Sequence, residues 1–266
     1  MDQNFIARHW YADVYEQFEN QTNDVAFILS ILQENTNGAQ NILEAACGGG
    51  RIAVPLAEAG HTVTGFDADI HMLLRCCKRM KGLPNIQCYH ADATEADWGA
   101  GYDVVVLGGN VFINIESDKD YKQAQIAFIR NAAAALRTGG HLLLDFQLLY
   151  DDEAVFNRLG ESSYFTGTDD MGTTGRTVSY GGVYDPVTQY CAGVSHIELT
   201  ANNGEHIVVA TDWKKHIPKQ AQVYAWLAEA GFVIEKAYKN FTDAPLPEPV
   251  DEDTYRATIW ARKREG

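Results

Sequence analysis

No apolar run in this chain of 266 residues approaches the length of about 20 residues that crosses a lipid bilayer. Basic residues are also few: 21 Lys and Arg stand against 36 Asp and Glu, which gives a formal net charge of −15. Because nucleic acids and anionic membranes are bound through clustered Lys and Arg, we expect neither as a partner. Residues 1–18 are polar and aromatic and lack the apolar core of a signal peptide, so we expect a cytoplasmic protein.

Cysteine pairs with C-x-x-C spacing are absent, and the number of cysteines, five, is odd. The vicinal pair Cys76–Cys77 is poorly placed to form a disulfide bond with itself. We therefore expect free thiols in a reducing compartment. Histidine and cysteine do not cluster with the spacing of metal ligands, and we predict no bound metal.

Short apolar strands alternate with amphipathic helices over residues 41–149. The last of these helices ends, by its glycines, at Gly139 and Gly140. Such alternation predicts an α/β fold with a Rossmann-like, mostly parallel seven-stranded sheet and helices on both faces. The two strands that end the chain predict an antiparallel C-terminal edge strand.

The pattern changes to a period of two over residues 173–213, with turn signals at Asp185–Pro186 and Asn202–Gly204. We interpret this stretch as three antiparallel strands, a small β cap inserted after the fifth strand of the sheet. The predicted segments are an N-terminal helical lid at 1–40, a Rossmann-like core at 41–149, the antiparallel β cap at 150–216 and the C-terminal part of the core at 217–266.

A glycine turn in "NILEAACGGGRIAVPLAEAG", residues 41–60, joins the first strand to a helix. Open α/β sheets bind ligands at the carboxyl ends of their strands, and glycine lets the backbone approach a ligand closely. Gly48 to Ala53 match G-x-G-x-x-A, which with Asp67 suits a dinucleotide and an NAD-dependent oxidoreductase. S-adenosylmethionine (SAM) suits the turn as well, because it has no pyrophosphate for Glu44 to repel and carries an ammonium group that an acid attracts.

Several motifs in order resemble those of class I SAM-dependent methyltransferases. The first two are "ILEAACGGGRIAVPLAEAGHTVTGFDAD", the third is "HADATEADW" and the fourth is "YDVVVLGGNVFINI". The ending, "LAEAGFVIEKAY" and "YRATIWARKR", resembles the family's C-terminal helix and hairpin. The resemblance covers residues 11–264, with Ala46 where the family usually has its first glycine. It makes 41–149 the SAM-binding part of the core.

The resemblance implies roles for individual residues. Asp67 accepts hydrogen bonds from both ribose hydroxyls, or else caps the following helix. Arg51 contacts the SAM carboxylate, or else lies on the surface. Asp92 accepts from the adenine amino group. The residues predicted to bind the cofactor are Tyr11, Tyr15, Glu44, Ala46, Gly48, Gly50, Arg51, Asp67, Ala68, Met72, Asp92, Ala93, Gly108 and Asn110.

"LGGNVFINI" further resembles the small-molecule branch that includes glycine and amino-sugar N-methyltransferases, with Asn114 where those often carry histidine. Asparagine orients an acceptor but cannot take its proton. Asp145 at a strand end and His216 in a loop before a helix are candidate bases, each with a structural alternative. The residues predicted to act at the reacting atoms are Asn110, Asn114, Tyr15, Asp145 and His216.

The resemblance implies transfer of a methyl group, by in-line displacement, to a nitrogen or oxygen atom of a small molecule, with S-adenosylhomocysteine as the product. Three alternatives stay open: a SAM-binding protein without catalysis, a methyltransferase of RNA or protein, and an NAD-dependent oxidoreductase. The β cap carries four aromatic residues that line an acceptor pocket, or else pack within the sheet or in a homodimer interface: Tyr180, Tyr184, Tyr190 and Trp213. Tyr164 is expected to reach the same pocket from a loop.

Overall fold

The computed structural model describes residues 2–115, 120–157 and 160–265. Its helices are α1 (Gln3–Phe18), α2 (Asn23–Asn35), α3 (Ala53–Glu58), α4 (Ile70–Arg79), α5 (Tyr121–Ala135), α6 (Asp152–Phe156) and α7 (Gln220–Glu229). Its strands are β1 (Asn41–Ala45), β2 (Thr62–Asp67), β3 (Ile86–His90), β4 (Tyr102–Leu107), β5 (Leu136–Gln147), β6 (Glu161–Thr168), β7 (Thr174–Asp185), β8 (Tyr190–Thr200), β9 (His206–His216), β10 (Phe232–Lys239) and β11 (Arg256–Lys263).

The chain divides into two compact units. The core unit comprises Thr22–Tyr150 and Pro218–Gly266, and the second unit comprises Met1–Gln21 and Asp151–Ile217. Within the described residues, no helix combines the length and apolarity needed to cross a bilayer.

The core unit contains a seven-stranded sheet with the order β10-β11-β5-β4-β1-β2-β3. Strands β1 to β5 pair in parallel, whereas β11 runs antiparallel to both of its neighbours, β5 and β10. Residues 104–107 of β4 are fully buried, as expected for a central parallel strand covered on both faces. The predicted α/β class and its antiparallel C-terminal strand are confirmed.

The boundary between α5 and β5 differs from the prediction. The helix ends at Ala135, and Gly139 and Gly140 lie inside β5 instead of stopping the helix. A Cβ atom on Gly140 would lie 3.0 Å from the carbonyl oxygens of Arg137 and Asp103. This glycine therefore serves the close passage of the chain beside β4, which a sequence pattern does not distinguish from a helix stop.

The second unit contains a four-stranded antiparallel sheet in the order β6-β7-β8-β9. The three strands predicted over residues 173–213 are confirmed as β7, β8 and β9, whereas a fourth strand before them was not predicted. The missed strand, β6, has the sequence ESSYFTGT, whose serines and glycine are weak strand formers. Helix α1 packs on this sheet through Trp10, which is fully buried and donates its indole N–H to the Gly167 carbonyl oxygen at 3.1 Å. The apolar cluster of this contact consists of Ile6, Ala7, Trp10, Val14, Leu199 and Ile207.

The predicted N-terminal segment 1–40 is split between the two units. Its first helix, α1, belongs to the second unit, and its second helix, α2, belongs to the core unit. Ile28 and Ile31 of α2 are buried in the same apolar cluster as Ile42 of β1. Helix α2 is thus part of the hydrophobic core that supports the sheet.

Candidate functional site

The glycine turn after β1 is built from left-handed backbone. Ala46, Gly48 and Gly50 have φ angles of +57°, +54° and +78°. A Cβ atom on Gly50 would lie 2.8 Å from the Cys76 sulfur, so only glycine fits there. Alanine at Ala46 bears the cost of the left-handed conformation, roughly 1–2 kcal/mol. The turn therefore departs from the family pattern at a position where the backbone favours glycine.

Three amides of this turn are engaged within the protein. The Cys47 N–H donates to the Phe66 carbonyl oxygen at 2.9 Å, and the Gly50 N–H donates to the Cys47 carbonyl oxygen at 2.9 Å. The Gly48 N–H donates to Asp67 Oδ2 at 2.8 Å. The bonds to Phe66 and Asp67 hold the loop against the end of β2, and the third closes the loop on itself.

Asp67 ends β2 directly beside the turn. Its Oδ1 accepts the N–H of Asp69 at 2.8 Å while its Oδ2 accepts that of Gly48, and burial raises the pKa of its carboxyl group. The cap of α4 is Asp69, which accepts from the N–H of His71, so the alternative reading of Asp67 as the helix cap was wrong. A carboxylate has about four acceptor sites, so each oxygen of Asp67 keeps capacity for a ligand hydroxyl.

Glu44 lies inside β1, only 3% exposed. Burial raises the pKa of its carboxyl group well above the ordinary value, while the backbone N–H of Ala53 hydrogen-bonds to it. Its Oε2 atom has no hydrogen-bond partner among the described residues. Glu44 fastens the first turn of α3 to the strand, and its predicted contact with the SAM ammonium group stays a prediction.

Arg51 forms a bidentate ion pair with Asp24, which the sequence did not predict. Its Nη1 and Nη2 atoms donate to the two carboxylate oxygens of Asp24, each at 2.7 Å. A Cβ atom on Gly109 would lie 3.5 Å from Arg51 Nη2, which places the guanidinium beside the turn after β4. Arg51 is mostly buried, so the reading of it as a surface arginine was wrong, and the carboxylate it binds in this structure belongs to α2.

Asn110 joins the carboxyl ends of β4 and β5. Its φ angle is +66°. Its side-chain oxygen accepts the N–H of Gln147 at 2.7 Å, and its own N–H donates to Asp145 Oδ2 at 3.3 Å. Asn114, which is exposed, donates its side-chain amide to the Asn110 carbonyl oxygen at 3.2 Å. The structure therefore brings together three of the residues that were predicted to act at the reacting atoms.

Asp145 is fully buried, and burial raises the pKa of its carboxyl group to about 6. The Nε atom of Arg256 lies 3.7 Å from its Oδ1. Thr258, on β11, is the register partner of Asp145. The atoms Asp145 Oδ1, Arg256 Nε and Nη1, and Thr258 Oγ1 are buried without a hydrogen-bond partner among the described residues. Buried polar atoms are normally paired, so this group has unused capacity for a polar ligand.

The end of β3 carries Asp92, which is exposed. Its Oδ1 accepts from both the N–H and the hydroxyl of Thr94, at 2.7 and 2.8 Å. The next residue, Ala93, is buried, and its carbonyl oxygen accepts the indole N–H of Trp98 at 3.0 Å. Asp92 thus shapes a local turn, and a contact with adenine is not tested by these bonds.

Three further predicted cofactor residues lie at the same edge of the sheet. Met72 approaches the glycine turn, since a Cβ atom on Gly48 would lie 3.3 Å from its Cε. A Cβ atom on Gly108 would lie 2.5 Å from Cδ1 of Ile52, so a larger residue here would displace the end of that side chain. Ala68 is exposed directly after β2.

The remaining predicted residues belong to the second unit. The rings of Tyr11 and Tyr15 contact that of Phe165, with centroids 5.6 and 5.7 Å apart. His216 is the last residue of β9, buried against the ring of Tyr190 at 5.2 Å, and does not lie in the predicted loop. The proposed contacts of these residues with cofactor or acceptor stay predictions.

Two aromatic residues of the predicted cap pack within its own sheet. Tyr184 is buried with its hydroxyl 3.5 Å from Asp152, and Trp213 lies across Gly193, where a Cβ atom would be 2.6 Å from the indole. Trp213 and Tyr164 also border a cavity of about 200 Å³ in this unit. Their predicted part in an acceptor pocket is not tested by this packing.

The known proteins that this chain resembles are methyltransferases. Residues 42–140 match the methyltransferase domain family. The chain is 26% identical over 151 residues to the glycine N-methyltransferase of Oryctolagus cuniculus. This match covers 52% of this chain and 50% of that protein. The chain thus spans about half the length of this relative.

Two solved structures share the fold over almost their whole length. A SAM-dependent methyltransferase from Clostridium acetobutylicum is 16% identical with a TM-score of 0.70, and covers 98% of this chain and 99% of its own. The SAM-bound amino pentose methyltransferase from Micromonospora echinaspora is 15% identical with a TM-score of 0.65, and covers 95% of this chain and 96% of its own. At these identities the likeness is one of fold.

Proposed function

We propose that this chain, which carries a class I SAM-dependent methyltransferase domain, transfers a methyl group to a nitrogen atom of a small molecule. SAM is the cofactor of this domain and supplies a methyl group bound to a positively charged sulfur. The observation that carries the proposal is the position of Asp67, whose carboxylate is hydrogen-bonded to the glycine turn and still has acceptor capacity.

The residues present fit this cofactor. A carboxylate with unused acceptor sites on both oxygens suits the neighbouring hydroxyls of a ribose, and Asp67 offers them beside the turn. Gly48 and Gly50 leave the turn without side chains, so backbone can approach the methionine portion. Asp92 is proposed for the adenine amino group, at the end of the next strand.

The engaged amides of the turn argue against a dinucleotide. A pyrophosphate is bound by backbone N–H groups of such a turn and by the helix that follows it. Here the N–H groups of Cys47, Gly48 and Gly50 are already bonded to oxygen atoms of the protein. We expect SAM to bind and NADH not to bind.

The chemistry of Asp145 favours nitrogen over oxygen as the acceptor atom. With a pKa of about 6, Asp145 is mostly ionised at neutral pH and can accept a hydrogen bond from an amine N–H. It is too weak a base to take the proton of an alcohol. An amine that has lost its ammonium proton needs no strong base, and Asn110 can orient it by hydrogen bonds. The similar glycine N-methyltransferase and amino pentose methyltransferase, which act on small molecules that carry nitrogen, support this proposal.

A small acceptor is favoured by the charge of the chain. The net charge of −15 opposes RNA, whose phosphates require a basic surface. Three further proposals rest on the sequence alone. They are a cytoplasmic location, a homodimer through the β cap, and contacts with the cofactor or the acceptor by Tyr11, Tyr15, Asn114 and His216.

The test uses SAM with an isotopically labelled methyl group. The purified chain is incubated with it and with fractionated cell extract, and the label is followed by mass spectrometry into small molecules, protein and RNA. The proposal predicts label in a small metabolite. Label in macromolecules would contradict it. Calorimetric SAM binding without labelled product in any fraction would instead favour a SAM-binding protein that does not catalyse transfer.

A further inference from the structure

Three thiols from separate parts of the chain meet beneath the glycine turn. Cys47 lies in the turn, Cys76 on α4 and Cys88 on β3. Their sulfur atoms all lie within 4.8 Å of one another, and those of Cys76 and Cys88 are 3.1 Å apart. Cys47 and Cys76 are buried, and Cys88 is half-buried. The spacing of these cysteines in the sequence does not predict the group, because its members are brought together only by the fold of the parallel sheet.

We propose that Cys47, Cys76 and Cys88 bind one zinc ion as thiolate ligands. Zinc prefers thiolates and binds them at about 2.3 Å, which sets its ligand sulfurs about 4 Å apart. The three sulfurs lie within 4.8 Å of one another, and the pair at 3.1 Å would have to separate by less than about 1 Å to admit the ion. Among the described residues no fourth Cys, His, Asp or Glu joins the group, so water fills the remaining position of a tetrahedral ion beside the half-buried Cys88.

Two glycines keep room for the sulfur atoms. A Cβ atom on Gly65 would lie 2.9 Å from the Cys47 sulfur and 3.0 Å from the Cys88 sulfur. A Cβ atom on Gly50 would lie 2.8 Å from the Cys76 sulfur. Even alanine at either position would displace a sulfur, so the surrounding backbone is shaped to the three thiols.

The local charges suit a divalent ion. Three thiolates and Zn²⁺ carry a net charge of −1, whereas a monovalent ion would leave −2 in a mostly buried site, which is costly. The guanidinium of Arg79 donates to the Gly49 carbonyl oxygen at 3.1 Å, which places a positive charge beside the turn that carries Cys47.

Such an ion would link the glycine turn to α4 and β3. Cys47 lies between Ala46 and Gly48, so the ion would fix the backbone that donates to Asp67. Its role would be structural, because it would join the turn to α4 and β3 where Cys47 lies in the apolar cluster of the core unit and Cys88 packs against that cluster. Metal binding of this kind adds directly to folding stability.

The test is a titration of the reduced, full-length chain with Zn²⁺ in competition with a coloured zinc indicator. We expect one ion per chain and a higher unfolding temperature with zinc. Cys47→Ser, Cys76→Ser and Cys88→Ser should each weaken zinc binding at least tenfold. Cys77→Ser, next to the group but exposed, and Cys191→Ser, buried in the second unit, are the matched controls and should bind zinc normally.

A second measurement needs no variant. Alkylation of the wild-type chain, mapped by mass spectrometry, should be slowed by zinc at Cys47, Cys76 and Cys88 and unchanged at Cys77. Absence of zinc binding by the reduced wild type would overturn the proposal. So would protection that extends equally to all cysteines, or a Cys76–Cys88 disulfide in a chain whose reduced form binds no zinc.

Discussion

Asp145 is the residue at which stability and the proposed function oppose each other. Its carboxyl group is fully buried beside Arg256, yet its pKa is raised, so burial outweighs the attraction of the guanidinium. A raised folded-state pKa means that the folded chain holds this proton more tightly than the unfolded chain. The stability contribution is therefore present at low pH and is lost as pH rises from about 4 to about 6.

Asp145→Asn should stabilise the fold at pH 7 and impair methyl transfer. The rise of the pKa from 3.8 to about 6 corresponds to roughly 3 kcal/mol, the upper limit for the gain in unfolding free energy. Denaturant unfolding at pH 7 and pH 3.5 checks this, since the gain should vanish at the lower pH. Methyl transfer should fall at least tenfold, and the wild-type rate should decline below pH 6.

Asp103→Asn is the control with the opposite sign. Asp103 accepts hydrogen bonds from the Asn41 N–H and from Arg137. Its substitution weakens both and should lower stability at pH 7. A loss of stability in Asp145→Asn of the same size as in Asp103→Asn would contradict the account of Asp145.

Asp67→Ala tests the assignment of the ribose site. A hydrogen bond to a charged group contributes roughly 1.5–3 kcal/mol, so the affinity for SAM should fall about ten- to a hundredfold in calorimetry. Asp97, which accepts the N–H of Gly99 in an exposed turn, gives the matched control Asp97→Ala. Equal SAM affinity in Asp67→Ala and in the wild type would refute the assignment.

At the scale of elements, the turn between β1 and α3 carries an identifiable strain. Ala46→Gly should remove a left-handed cost of roughly 1–2 kcal/mol and add a chain-entropy cost of about 0.5–1 kcal/mol. We expect a net gain of about 0.5–1 kcal/mol in unfolding free energy, with SAM binding retained. The control is Ala45→Gly, in the adjoining strand, which should destabilise by a similar amount. A destabilised Ala46→Gly variant would show that the left-handed conformation of Ala46 costs less than the chain entropy that glycine adds, and would contradict the expected strain.

Elements with continuous apolar runs were predictable, and elements defined by their neighbours were not. The runs in β1 and β4 indicate buried parallel strands directly. Strand β6 is recognisable only because β7 pairs with it. Helix α5 ends before the glycines because Leu136, the residue after its last, adopts an extended backbone conformation. Helix α1 carries no sequence mark that it packs on the sheet of the second unit.

In the candidate site as well, residues marked by a local motif were predictable, whereas residues that act through distant partners were not. The glycine turn, Asp67 and Asn110 sit at strand ends, where a single motif marks them. Asp24 and Arg256 were missed because each acts through a partner far away in the sequence, Arg51 and Asp145 respectively. The grouping of the three thiols was missed for the same reason.

The proposed substrate is a property of the whole molecule, because an acidic chain favours a small amine over a polyanion. The most direct measurement divides a cell extract in two and acetylates the amines of one half. Both halves are incubated with the chain and methyl-labelled SAM. If the acceptor is a small amine, a labelled small molecule should form in the untreated half and none in the acetylated half. Equal label in both halves would contradict a nitrogen acceptor, and label only in macromolecules would contradict a small one.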